Sequence, residues 1–140
     1  MKVKDVMTAR VVKVSADEPV RRAAELMKEW NVGAVPVEKN GKFAGIVTDR
    51  DIILRCIAAG RPDTVKAEEV MTDGKLVCIS PEHSVTEAAR LMAKEQVRRL
   101  PVCDSGKIVG ILSLSDIAGA EKMFYETASA FCEICRGRED

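Results

Sequence analysis

The chain has 140 residues, 46% of them hydrophobic and 31% charged, a balance that fits an ordinary globular fold with a sizeable core. Its 22 Lys and Arg residues cancel 22 Asp and Glu, so no overall positive field gathers nucleic acid or an anionic membrane surface. No apolar run approaches the roughly 20 residues that cross a bilayer, and the start, Met1-Lys2-Val3-Lys4-Asp5, lacks a signal peptide's apolar stretch. A cytoplasmic protein without a membrane partner is expected. Five cysteines, an odd number mostly in apolar or helical contexts, suit a reducing compartment better than a disulfide framework.

From the N-terminus, Val11, Val12 and Val14 form a β-prone run that reads as a short strand. Val20, Ala23, Ala24 and Met27 fall at i, i+3, i+4 and i+7, one apolar stripe of a helix. Pro19 precedes them, where a helix start tolerates proline. Val35-Pro36-Val37, the Asn40-Gly41 turn and Phe43 to Val47 read as a hairpin. A second helix is expected from Asp49 to about Ala59, then a linker, Ala59-Gly60-Arg61-Pro62-Asp63. The same order then returns. Leu76, Val77 and Ile79 are β-prone, Val85, Ala88, Ala89 and Met92 repeat the helical stripe, and Ser84 with Glu87 has capping-box spacing. Leu100-Pro101-Val102, Ser105-Gly106 and Ile108 to Leu112 form the second hairpin, and a last helix runs from Leu114 into the tail.

This is an internal duplication: residues 13–52 align without a gap onto 78–117, with 15 of the 40 positions identical. Upstream, Lys2, Val6, Met7 and Thr8 match Lys66, Val70, Met71 and Thr72. The expected fold is α+β and two-layered: two pseudo-symmetric β-α-β-β-α repeats packed through their sheets, plus a C-terminal helical tail. The repeats are assigned to 1–61 and 62–120, and the extension to 121–140.

Thr48-x-x-Asp51 and Ser113-x-x-Asp116 sit where a strand hands over to a helix. The plain reading is capping, in which the hydroxyl accepts from an early backbone N–H and the carboxylate lies at the positive end of the dipole. That does not exclude a second use. A carboxylate can accept from two vicinal hydroxyls beside unpaired N–H groups, so the corner suits a ribose with a phosphate next to it.

With the Val-Met-Thr lead-ins (6–8 and 70–72), the Pro-Val pairs (36–37 and 101–102), Gly45-Ile46-Val47-Thr48-Asp49-Arg50-Asp51-Ile52 and Gly110-Ile111-Leu112-Ser113-Leu114-Ser115-Asp116-Ile117, the chain resembles a tandem pair of cystathionine-β-synthase (CBS) domains, a Bateman module. The resemblance covers residues 2 to about 120 and rests on the ordered set occurring twice. It implies a stand-alone module with two pseudo-symmetric clefts, usually paired as a homodimer. It also implies regulatory binding of AMP, ADP, ATP, NAD or S-adenosylmethionine. Carried over residue by residue, one site comprises Ile46, Thr48, Asp51, Val77, Val97 and Arg99, with Arg50 as a helper. The other comprises Ile111, Ser113, Asp116, Val12, Val32 and Ala34. Only the first has obvious cations for a phosphate chain, so the resemblance implies unequal sites, the first favouring phosphorylated ligands. The valines and alanines are also what a core needs.

Beyond the second repeat, Ile117, Ala120, Phe124, Ala128 and Phe131 follow helical spacing, which predicts a long last helix exposing an aromatic face to a partner. Cys132-x-x-Cys135 supplies half of a tetrahedral zinc site; inert or oxidised thiols, an intersubunit metal site and a redox pair are the open readings. Cys56, Cys78 and Cys103 are expected as small buried hydrophobes. The only histidine, His83, lies at a helix start, and no general acid and base pair stands out, so no enzyme is expected. The leading reading is a regulatory ligand-binding module acting on a protein the sequence does not name. The rival is a structural or interaction protein with empty clefts, whose CxxC tail mediates metal-dependent dimerisation or partner binding.

Overall fold

The computed structural model describes residues 1–9, 11–74, 76–120 and 124–137, with side chains in the last segment from 128 onward. The chain divides into two compact units, one of residues 12–76 and one of 1–11 with 77–140. These are not the contiguous halves of the duplication. Each unit takes its lead-in segment from the other repeat.

In the 12–76 unit, β1 (Val14–Ser15) pairs parallel with β2 (Ala34–Lys39), which pairs antiparallel with β3 (Lys42–Thr48). The hairpin turns at Asn40 and Gly41, both with positive φ, the requirement that the Asn-Gly dipeptide meets at least cost. Helix α2 (Val20–Trp30) buries Val20, Ala23 and Leu26 against the sheet and ends at Asn31 in the left-handed conformation. The expected helix from Asp49 begins as α3 (Asp49–Asp51) but continues as a π-helical segment, Ile52–Ile57, whose wider turn closes with Ala58 N donating to the Ile53 carbonyl at 2.8 Å. Cys56 is buried there, while Ile53, Leu54 and Ile57 face solvent.

The other unit repeats this plan. Helix α1 (Val3–Val6) docks through Val3 N to the His83 carbonyl at 2.8 Å. Helix α4 (Val85–Glu95) starts at Ser84, whose Oγ accepts from Glu87 N at 3.1 Å, and it buries Val85, Ala88, Ala89 and Met92 as the stripe requires. Strands β4 (Arg99–Asp104) and β5 (Lys107–Ser113) pair antiparallel around Ser105-Gly106, with a bulge at the position matching that of the first hairpin. The β-prone runs ahead of the first helices are shorter than their composition suggests: two residues in β1, and a single bridge from Ile79 to Val102 in the second copy.

The last helix is not continuous from Leu114. Helix α5 (Leu114–Ala118) is capped at Gly119, and α6 (Phe124–Arg136) is a separate helix that buries Ala130 and Ile134. The Phe124 side chain, named from the sequence, lies outside the described residues.

The lead-ins join their host sheets by backbone pairing: Ile46 and Thr72 exchange N–H···O bonds of 3.0 and 2.8 Å, and Ile111 and Thr8 exchange bonds of 2.9 and 3.0 Å. Glycine permits both approaches. A Cβ at Gly45 would sit 2.6 Å from Met71 Sδ and 2.9 Å from the Thr72 carbonyl oxygen. At Gly110 it would sit 2.7 Å from Met7 Sδ and 2.9 Å from the Thr8 oxygen. Gly45→Ala and Gly110→Ala are therefore expected to cost about 1–3 kcal/mol each in urea unfolding, since a backbone carbonyl must give way. Gly74→Ala, with nothing within 4 Å, should be close to neutral.

Candidate functional site

Each strand-to-helix corner is a complete capping box. Thr48 Oγ1 accepts from Asp51 N at 3.0 Å while Thr48 N donates to Asp51 Oδ2 at 3.0 Å. In the other unit Ser113 Oγ accepts from Asp116 N at 3.1 Å, and Ser113 N donates to Asp116 Oδ2 at 2.9 Å. Two orphan donors are satisfied reciprocally at each corner, which fixes both carboxylates at the strand ends.

The two carboxylates differ in what else surrounds them. Asp51 is 8% exposed, the one charged residue among the buried described residues. The Thr72 hydroxyl is shared between its oxygens at 3.1 and 3.2 Å, and Arg55 Nε lies 3.8 Å from Oδ1. Arg55 Nη1 also donates to the Met71 carbonyl at 3.0 Å, so residues 71–72 are tied to the corner from two sides. Asp116 is half-buried and opens onto a groove of about 690 Å³, also lined by Met1, Asp5, Gly119 and Ala120. At the repeat's own spacing Gly119 and Ala120 stand where the first copy has Leu54 and Arg55. Two large side chains are thus missing from the second corner, and the groove takes their place.

The carried-over residues divide between the units. Ile46, Thr48, Arg50, Asp51, Val12, Val32 and Ala34 belong to one, and Val77, Val97, Arg99, Ile111, Ser113 and Asp116 to the other. Val12 and Val32 pack partly buried against one core, and Val77 and Val97 against the other. Arg50 and Arg99 are exposed. Strand register sets the residue two before each Pro opposite the capping hydroxyl of its own unit, Ala34 opposite Thr48 and Arg99 opposite Ser113. Of the paired arginines, Arg98 is engaged, its guanidinium 5.8 Å from the Phe131 ring centre. Sequence reasoning gave no role to Thr72 or Arg55. The first was visible as the end of a duplicated Val-Met-Thr motif, while the second differs between copies and carried no signal.

The cysteines depart partly from expectation: Cys56 is buried and Cys103 intermediate, but Cys78 is exposed, as are Cys132 and Cys135. The described residues contain no group of three or more His, Cys, Asp or Glu that could hold a metal ion. No described helix is long and apolar enough to cross a membrane.

Two α+β units built on one duplicated plan, each with a capped strand-to-helix corner, define a tandem-repeat module. The CBS-domain family model matches residues 3–57 and 67–122, and the chain belongs to that family as a CBS pair. It is 44% identical over 132 residues to the CBS domain-containing protein YhcV of Bacillus subtilis, covering 94% of each chain. Among solved structures it is similar to Hypoxic Response Protein I with two coordinated zinc ions (TM-score 0.76, 34% identity, 85% of this chain and 98% of that one). It is also similar to CBSX2 in complex with AMP (TM-score 0.73, 28% identity, 89% and 98%).

Thr72→Val keeps the side-chain shape but removes a donor from a buried carboxylate. It should lower stability by about 1–2 kcal/mol in urea unfolding. An unchanged midpoint would show that the hydroxyl contributes nothing to Asp51.

Proposed function

We propose that the chain is a regulatory module that binds an adenosyl ligand, AMP being the first candidate, using residues of both repeats. The observation that carries this reading is the hydroxyl–carboxylate corner built twice at a strand end, in one copy beside an open groove. An ionised carboxylate there accepts from vicinal ribose hydroxyls, and Arg99 supplies a fixed cation for phosphate. The AMP complex of CBSX2 supports the ligand class.

The proposed ligand residues are Ile46, Thr48, Asp51, Val12, Val32 and Ala34 in one unit, and Ile111, Ser113, Asp116, Val77, Val97 and Arg99 in the other. A ribose on Asp51 competes with the Thr72 hydroxyl for the same oxygens, so occupancy there changes how residues 71–72 are held. The ligand shifts the module between packings by no more than its differential affinity for them. A second copy of the chain is proposed to cover Ile53, Leu54 and Ile57, which are 56%, 50% and 67% exposed.

Calorimetric titration with AMP, ADP, ATP, NAD and S-adenosylmethionine tests the reading. Saturable binding is expected, with Asp51→Ala and Asp116→Ala each weakening one class of site by at least about tenfold, or 1.4 kcal/mol. A double-mutant cycle then locates Arg99. Coupling of Arg99→Ala to Asp51→Ala supports the assignment across repeats, whereas coupling to Asp116→Ala assigns Arg99 to its own unit. No heat with any ligand, in folded protein free of bound nucleotide, would sink the sensor reading. Leu54→Glu should dissociate the dimer, as read by light scattering.

A further inference from the structure

Helix α6 has two unlike faces. Ala130 and Ile134, 4% and 0% exposed, anchor it in its unit. On the other side Ala128, Phe131, Cys132 and Cys135 are all exposed, at i, i+3, i+4 and i+7. At about 100° per residue, Cys132 points roughly opposite the buried edge. A helix buried on one face ordinarily turns charged and polar residues to water on the other. This one presents an apolar stripe that carries two thiols.

We propose that Cys132 and Cys135 are half of a four-thiolate site for a soft divalent metal, completed by the same pair from a second copy of the chain. Residues three apart on a helix are neighbours, with Cβ atoms about 5–6 Å apart. Side chains at i and i+3 can chelate one metal from a helix. Zinc–sulfur bonds of about 2.3 Å in a tetrahedron bring the sulfurs to just under 4 Å, within reach of two rotating thiols. The same spacing opposes a disulfide within the pair, which needs Cβ atoms about 3.5–4.5 Å apart and would distort the last turns of the helix.

The donor count selects the partner. A structural zinc site takes four protein ligands, one chain's described residues offer no cluster of even three, and His83 lies on the turn before α4. A twofold-related copy doubles two thiols to four, and its apolar stripe covers Ala128 and Phe131. On binding, each thiol releases its proton to solvent and donates a sulfur lone pair to the metal, with no change in oxidation state.

The test uses the full chain, reduced and stripped of metal, titrated with Cd²⁺ and Zn²⁺. The expected result is saturation at one metal per two chains, with a cadmium–thiolate charge-transfer band of four-sulfur intensity. Cys132→Ser and Cys135→Ser, checked for folding by thermal melts, should each weaken binding more than about tenfold and leave nucleotide affinity unchanged. Cys78→Ser, which alters another exposed thiol, should bind metal like the parent chain. Saturation at one metal per chain, a two-sulfur band, or equal loss in Cys78→Ser would overturn the proposal.

Discussion

The pairing of Thr72 with Ile46 and of Thr8 with Ile111 is the constraint on which the architecture depends. Each is a two-bond exchange of backbone N–H and C=O groups, and each lets a lead-in segment from one repeat enter the unit built by the other. The cost of leaving such groups unpaired in a packed interior explains why these contacts are kept in both copies. The glycines follow from the same constraint. Gly45 and Gly110 face the incoming Met-Thr segment at distances no Cβ tolerates, so the Val-Met-Thr motif and the strand glycine are two sides of one contact. Residues 1–11 are thereby bound to 77–140, and residues 62–76 to the first hairpin.

This exchange also gives the two corners different surroundings. Thr72 comes with its lead-in to the Asp51 carboxylate, and Arg55, one helical turn on, holds both the carboxylate and the Met71 carbonyl. A charge at 8% exposure is costly unless donors surround it, and here backbone N–H, hydroxyl and guanidinium all approach it. Asp116 has the same capping box, but Ala120 occupies the place of Arg55 and a groove opens beside it. Duplication conserved the carboxylates and divergence of the next helix changed their accessibility.

Much of this was legible from residue patterns. The duplicated helix stripes, the two hairpin turns and both capping boxes depend on local spacing, and local spacing survives folding. What the sequence hid was non-local. The lead-in of each copy precedes its own repeat in the chain, so nothing local indicates that Thr72 reaches Asp51 or that residues 1–11 leave for the second unit. The π-helical segment was hidden as well, because Ile52 to Ile57 has the apolar content of an ordinary helix. The tail was legible in part: the stripe of Ala128 and Phe131 was expected on an exposed face and is exposed, whereas the inner edge of Ala130 and Ile134 was not foreseen, and the break after Ala118 separates α6 from α5.

The inner edge went unread because α6 carries two apolar edges. Helical periodicity detects a stripe without saying whether it faces a core or a partner. Here the inner edge, a small residue and a fully buried isoleucine, is sufficient to dock the helix, and the larger aromatic and the thiols are left outside. The guanidinium of Arg98 over the Phe131 ring covers part of that ring, yet Phe131 remains 47% exposed. Burying such a stripe would gain roughly 25 cal/mol for each Å² of apolar surface removed from water, so its exposure in the single chain carries a free-energy cost. The Arg98 and Arg99 positions, where the copies differ most visibly in charge, accordingly have separate tasks. One supports the tail's aromatic residue, and the other stays open beside the capped corner at Ser113.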